Sequence, residues 1–104
     1  MVGWSYSLLD DDERRCLRRM SVFGGSVSFD GFQAVCRPER RGTLDQLVRC
    51  SLVVAERSVL GVRYRLLATV RAFAAVELES AGDLEQTRRR LLHWVGEWAA
   101  GFNK

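Results

Sequence analysis

The sequence is poor in the residues that most enzyme chemistry needs. His93 is the only histidine among 104 residues, so no Ser/His/Asp or Cys/His arrangement can be argued from spacing, and no catalytic residue is expected. Cys16, Cys36 and Cys50 are odd in number, widely spaced and include no CxxC pair. Neither a disulfide framework nor a common zinc pattern is indicated. A metal site built from the three thiols with His93 has the right ligand types, but buried, reduced thiols are the simpler reading. No apolar stretch approaches the roughly twenty residues that span a bilayer, and the N-terminus lacks a basic region followed by an apolar run and a cleavage site. A soluble, unsecreted, cytoplasmic protein without membrane contact is therefore expected. Lysine is nearly missing too: of sixteen basic residues, all but Lys104 are arginine. With a net charge of only +3, that skew fits a GC-rich coding genome better than a nucleic-acid stripe.

What the chain does have is apolar content, 47% of its residues, enough for one compact domain with a real core. Asp10 and Glu13 have the spacing of an N-cap and its third helical position, and predict a helix over 10–23. Leu9, Glu13, Cys16, Leu17, Met20 and Phe23 fall near one face of it, with Arg14, Arg15, Arg18 and Arg19 on the other and Gly24-Gly25 as the stop. A short second helix over 28–36 starts at Ser28 and ends at Pro38. After the basic loop from Arg37 to Gly42, Thr43 and Gln46 match a capping box and predict a third helix over 43–51. The β-branched and aromatic runs of 52–66, broken at Gly61, predict a two-stranded wing. Leu67, Val70, Phe73, Ala74, Leu78 and Ala81 restore the helical period over 67–81, and Gly82 ends it. Asp83 and Gln86 repeat the capping spacing and open a last helix that continues to 104. The expected fold is mainly α with a small β-hairpin: a winged helix-turn-helix over 4–82, then a C-terminal helix over 83–104 that begins a helical extension.

Trp4-Ser5-Tyr6-Ser7-Leu8-Leu9, Glu13-Arg14-Arg15 and Ser21-Val22-Phe23-Gly24-Gly25, followed by Ser51-Leu52-Val53-Val54, Arg63-Tyr64-Arg65-Leu66-Leu67 and Thr69-Val70-Arg71-Ala72-Phe73-Ala74, resemble one family in order and spacing. That family is the winged-helix region that follows the ATPase core in STAND-type, NB-ARC-like transcriptional regulators of actinobacteria. The resemblance implies a module of a longer switch protein, whose partners are the ATPase and helical sensor domains of the parent chain. It also implies that the chain is an excised middle part of that protein. No GxxxxGK[ST] loop is present to cradle phosphates, so no nucleotide cofactor is expected on this chain. Related branches carry a Met-His-Asp motif after the wing, whose His contacts nucleotide. Leu66, Leu67 and Ala68 stand at those places, and a leucine cannot donate that hydrogen bond; Leu67 is expected in the core instead.

Three functional readings follow. DNA binding would use Arg37, Arg40 and Arg41 before the third helix, Gln46 and Arg49 on it, and Arg57, Arg63 and Arg65 on the wing, because guanidinium forks suit phosphate oxygens and guanine edges. The third helix also carries Asp45, however, and its basic footprint is sparse for a DNA reader. Docking on a parent ATPase needs only packing and salt bridges. Association through the last helix would use Trp94, Trp98 and Phe102, either with a lost neighbour or with a second copy as a homodimer; the alternative is that this helix folds back to complete the core. Glu85 and Arg89, spaced i and i+4, account for one arginine of the Arg88–Arg90 run without any function.

Overall fold

A computed structural model of the chain describes residues 2–59 and 61–102, with side chains over 5–59 and 61–97. Its element order is α1 (Val2–Ser7), α2 (Asp11–Met20), α3 (Phe29–Cys36), α4 (Thr43–Arg49), β1 (Val53–Ser58), β2 (Gly61–Leu66), α5 (Ala68–Ser80) and α6 (Leu84–Phe102). The architecture is mainly α with one antiparallel hairpin.

Helix α2 begins on a reciprocal capping box. The Asp10 carboxylate accepts from the Glu13 backbone N–H at 2.8 Å, and the Glu13 carboxylate accepts from the Asp10 N–H at 3.0 Å. Two otherwise orphaned donors are thereby satisfied, and three acidic residues lie in the first turn, where the helix dipole favours them. Leu17, Cys16 and Met20 of this helix are buried. They meet Phe32, Val35 and Cys36 of α3, Leu44 and Leu47 of α4, and Val70 and Ala74 of α5 in one core. Helix α1, which the sequence did not announce, lies against α5, and Tyr6 meets the Phe73 ring edge-on at 5.2 Å. Arg14 covers the end of α1 by donating to the carbonyls of Tyr6 and Ser7 at 3.1 and 2.6 Å.

Helix α3 starts with the Ser28 hydroxyl accepting from the Gly31 N–H at 3.2 Å. It ends at Arg37, which adopts the left-handed conformation (φ 49°, ψ 65°) directly before Pro38. A residue before proline is kept from continuing a helix, and the left-handed turn closes it. Helix α4 starts differently from its predicted cap. Gly42 occupies the cap position without a side-chain bond, and Thr43 is the first helical residue. The Thr43 hydroxyl is drawn instead to the buried carboxylate of Asp12, 2.5 Å away.

The hairpin pairs Val53 with Leu66 through Ser58 with Gly61. Val27 adds a bridge on the other side of β2, exchanging backbone hydrogen bonds of 2.8 Å with Tyr64 in both directions. Helix α5 closes on Gly82 (φ 72°), with the Asp83 N–H reaching back to the Leu78 carbonyl at 3.3 Å and the Gly82 N–H to that of Glu79 at 3.0 Å. Only a residue at ease with positive φ makes that turn without strain. Helix α6 then runs back across α3. Leu67 departs from its expected place in the core: it precedes α5 in an extended conformation and is 41% exposed, while Leu66 is buried. Strand alternation decides this, since adjacent strand residues point to opposite faces.

Candidate nucleic-acid and docking interface

Helix α4 buries Leu44 and Leu47 against α2 and β1 and leaves Asp45, Gln46 and Arg49 exposed. These three occupy one helical face by their spacing. That outer face thus holds one acid, one amide and one guanidinium, and the Gln46 amide already leans on the Cys50 sulfur at 3.7 Å.

The loop before α4 is held from below by α2. Asp12, only 7% exposed, accepts from the backbone N–H groups of Glu39 at 2.9 Å and Arg40 at 3.4 Å, from the Thr43 hydroxyl, and from the Arg15 guanidinium at 2.7 Å. Burial pushes its carboxyl up, but the hydrogen bonds from Thr43, Glu39, Arg40 and Arg15 outweigh burial and hold it below the ordinary 3.8. Arg40 is drawn into the same acidic cluster. Its guanidinium pairs with Asp10 and lies 3.6 Å from Glu13 and 3.9 Å from Asp12.

On the wing, Arg65 pairs with Glu56, its diagonal neighbour across the hairpin. Arg63 donates to the hydroxyl and carbonyl of Ser26 at 3.2 and 2.9 Å, tying the wing to the segment before α3. Arg41, Arg49 and Arg57 are exposed, and their guanidinium groups make no ion pair or hydrogen bond among the described residues. Arg37 stands apart from this group. It lines an open cleft between the end of α3 and α6, together with Gln86, Arg90, His93 and Trp94. The eight sequence-selected side chains thus divide into those tied down within the molecule, those free near α4 and β1, and Arg37 on another side.

The C-terminal helix is covered along one side and bare along another. Leu91 and Trp94 pack against the core, and a methyl group added at Gly31 would sit 2.9 Å from the Trp94 ring. Gly31 is therefore what lets α6 lie close on α3, a role that no sequence signal distinguished from an ordinary helical glycine. Leu92 and Val95 remain 70% and 45% exposed. The side chains of Trp98 and Phe102, expected in an association surface, lie outside the described residues.

No group of three or more His, Cys, Asp or Glu among the described residues is placed to hold a metal ion. Burial pushes the Cys16 thiol up to about 12, helped by the charge of Asp12, and raises that of Cys36 well above its ordinary value, so neither supplies a thiolate near neutral pH. His93 is exposed, with Nε2 3.2 Å from Glu97. No helix among the described residues is long and apolar enough to cross a membrane.

Residues 9–79 match the family model of the winged helix-turn-helix domain. An uncharacterized protein of Mycobacterium tuberculosis is 34% identical over 96 residues, 86% of this chain and 24% of the relative. A second protein of the same species, described as a "Putative HTH-type transcriptional regulator", is 36% identical over 90 residues, 81% of this chain and 10% of the relative. A protein of Mycobacterium bovis with the same description matches over the same shares. The chain thus spans between a tenth and a quarter of these relatives' length. No solved structure gives a significant match.

Proposed function

This chain belongs to the winged helix-turn-helix domain family, and from that premise we propose that it is a non-catalytic regulatory module of a longer STAND-type, NB-ARC-like ATPase regulator. It works by docking on the ATPase and helical sensor domains of its parent chain. The observation that carries this reading is the internal engagement of the basic side chains a DNA reader would turn outward. Arg40 sits among Asp10, Asp12 and Glu13, Arg65 pairs with Glu56, and Arg63 holds Ser26. The outer face of α4 is left with Asp45 beside Gln46 and Arg49. An acid on that face repels phosphate, whereas a mixed-charge surface suits a protein partner. The small share that this chain occupies in its relatives supports a module within a larger regulator.

A second reading, DNA binding, is favoured by the exposed and unengaged Arg41, Arg49 and Arg57 and by the relatives described as transcriptional regulators. Fluorescence anisotropy with mixed-sequence DNA at low and moderate salt separates the two. Docking predicts weak binding that Arg49→Ala/Arg57→Ala leaves unchanged. Tight binding that falls steeply with salt and is lost in that double variant would replace docking with DNA recognition. Arg40→Ala is the control, because its guanidinium already has carboxylate partners. Sedimentation of the same samples reports a homodimer through the bare Leu92 and Val95 side of α6, if one forms.

A further inference from the structure

The cleft between the end of α3 and α6, about 630 Å³ in volume, is lined by three arginines, Arg37, Arg89 and Arg90, and by one carboxylate, Glu97. The charged groups in and around it divide into paired and unpaired ones. Arg19 of α2, outside the cleft lining, pairs with Asp83 at 2.6 Å. On α6, Arg89 pairs with Glu85 at 2.9 Å, and the Glu97 carboxylate lies 3.2 Å from His93 Nε2. Arg37 and Arg90 have no carboxylate within ion-pair distance among the described residues. One terminal nitrogen of Arg90, Nη1, is buried with no hydrogen-bond acceptor at all. Burial first, and then the charges of Arg19 and Arg37, make the Arg90 cation easier to deprotonate than usual, with Asp83 opposing the shift.

Such an arrangement is unfavourable until an anion enters. Two features prepare it for one. The left-handed turn before Pro38 fixes Arg37 at the rim, and the Cys36 carbonyl at the negative end of α3 is already covered by Arg19 Nη1 at 2.8 Å. Gln86 and Trp94 line the same cleft.

We propose that this cleft is an oxyanion site for a phosphoryl group, free or carried on a small ester, with Arg37 and Arg90 as its ligands. Planar guanidinium forks meet phosphate oxygens in pairs, and the buried Arg90 Nη1 offers a donor that no protein acceptor uses. Nothing in the docking reading requires this site, and it stands or falls separately.

Thermal melting and ¹H–¹⁵N NMR of the whole chain, at matched ionic strength, test the proposal with inorganic phosphate, O-phosphoserine and acetate. Phosphate is expected to raise the melting temperature and to shift the side-chain N–H signals of Arg37, Arg90, Gln86 and Trp94. Arg37→Gln, an exposed substitution, should weaken the effect at least about fivefold. Arg90→Gln should raise the melting temperature in the absence of phosphate, by relieving the repulsion, and abolish the response to phosphate. Response to both phosphate and phosphoserine assigns the site to phosphate esters, and response to phosphate alone assigns it to the free ion. Three results overturn the proposal: no response up to about 50 mM, an equal response to acetate, or the same response in Arg37→Gln as in the wild type.

Discussion

The two ends of α2 treat arginine in opposite ways. At its start, Asp10, Asp12 and Glu13 gather Arg15 and Arg40 and the backbone of the loop that leads into α4. At its finish, Arg19 stands with Arg37 and Arg90 beside one acid of their own, Asp83. The helix dipole prefers this order, with carboxylates near the first turn and cations near the last. Each place holds a charged group out of water, Asp12 at the start and Arg90 Nη1 at the finish, but of these two only Asp12 has an ion-pair partner. A balanced buried cluster fixes geometry, here the angle at which α4 leaves the loop. An unbalanced one stores repulsion that a ligand can relieve.

Asp12→Ala should give the largest effect, a loss of about 3 kcal/mol in denaturant unfolding. It leaves the backbone N–H groups of Glu39 and Arg40 without their acceptor, while Arg15 keeps Glu39 at 3.2 Å and the Thr43 hydroxyl keeps the Arg40 carbonyl at 3.1 Å. A loss below about 1 kcal/mol would mean that water replaces the carboxylate and the brace is dispensable. The same carboxyl sets the acid sensitivity. Its folded pKa is lowered, so the unfolded chain binds the proton more readily. The stability it confers is fully present above the unfolded value of about 3.9 and is lost as the pH falls through the lower folded value. Asp12→Asn should flatten that part of the stability–pH curve; an unchanged slope would assign the acid sensitivity to other carboxylates.

Asp83→Asn should act next, at about 2 to 3 kcal/mol, since it leaves three neighbouring guanidinium groups with no carboxylate of their own. It separates the two ends of α2 most sharply. Phosphate should restore much of the lost stability in this variant and none of it in Asp12→Ala. Equal recovery in both would show a general salt effect.

How much of this was legible in the sequence depends on the range of each interaction. The Asp10–Glu13 box, the Ser28 cap and the Gly82 stop are contacts within one turn, and their spacing gave them away. The wing was readable because a β-branched run broken by glycine has few other uses. Thr43 shows the limit. Its local pattern matched a cap, but a carboxylate thirty-one positions earlier claimed its hydroxyl, and no local spacing carries that information. The same holds for Arg40, Arg63 and Arg65, which looked like free cations until the fold brought Asp10, Ser26 and Glu56 beside them. Arg37 and Arg90 failed to stand out for the opposite reason. What marks them is that no described carboxylate comes within ion-pair distance of either, and that is visible only after α6 has folded across α3.

The contact between those helices gives a smaller prediction. Gly31→Ala places a methyl group 2.5 Å from a Val27 methyl and 2.9 Å from the Trp94 ring. The gain in helix propensity, up to about 1 kcal/mol, works against that clash. Val27 is buried and cannot retreat, so a net loss of about 1 to 2 kcal/mol is expected, along with faster amide exchange in α6. Neutral stability with unchanged exchange would mean that α6 shifts freely on α3, and the cleft could not then hold two guanidinium groups in fixed positions.

Arg89→Gln should change least. Arg89 lines the same cleft as Arg37 and Arg90, but it already has Glu85 one turn away on an exposed face. An exposed pair of this spacing supports a helix by about 0.2 to 0.5 kcal/mol, and salt weakens even that. The substitution should therefore lower the melting temperature only slightly, and it should leave the response to phosphate nearly as in the wild type. A response lost as fully as in Arg37→Gln would mean that position in the cleft matters and pairing does not. The imbalance at the end of α2 would then be the wrong explanation for anion binding there.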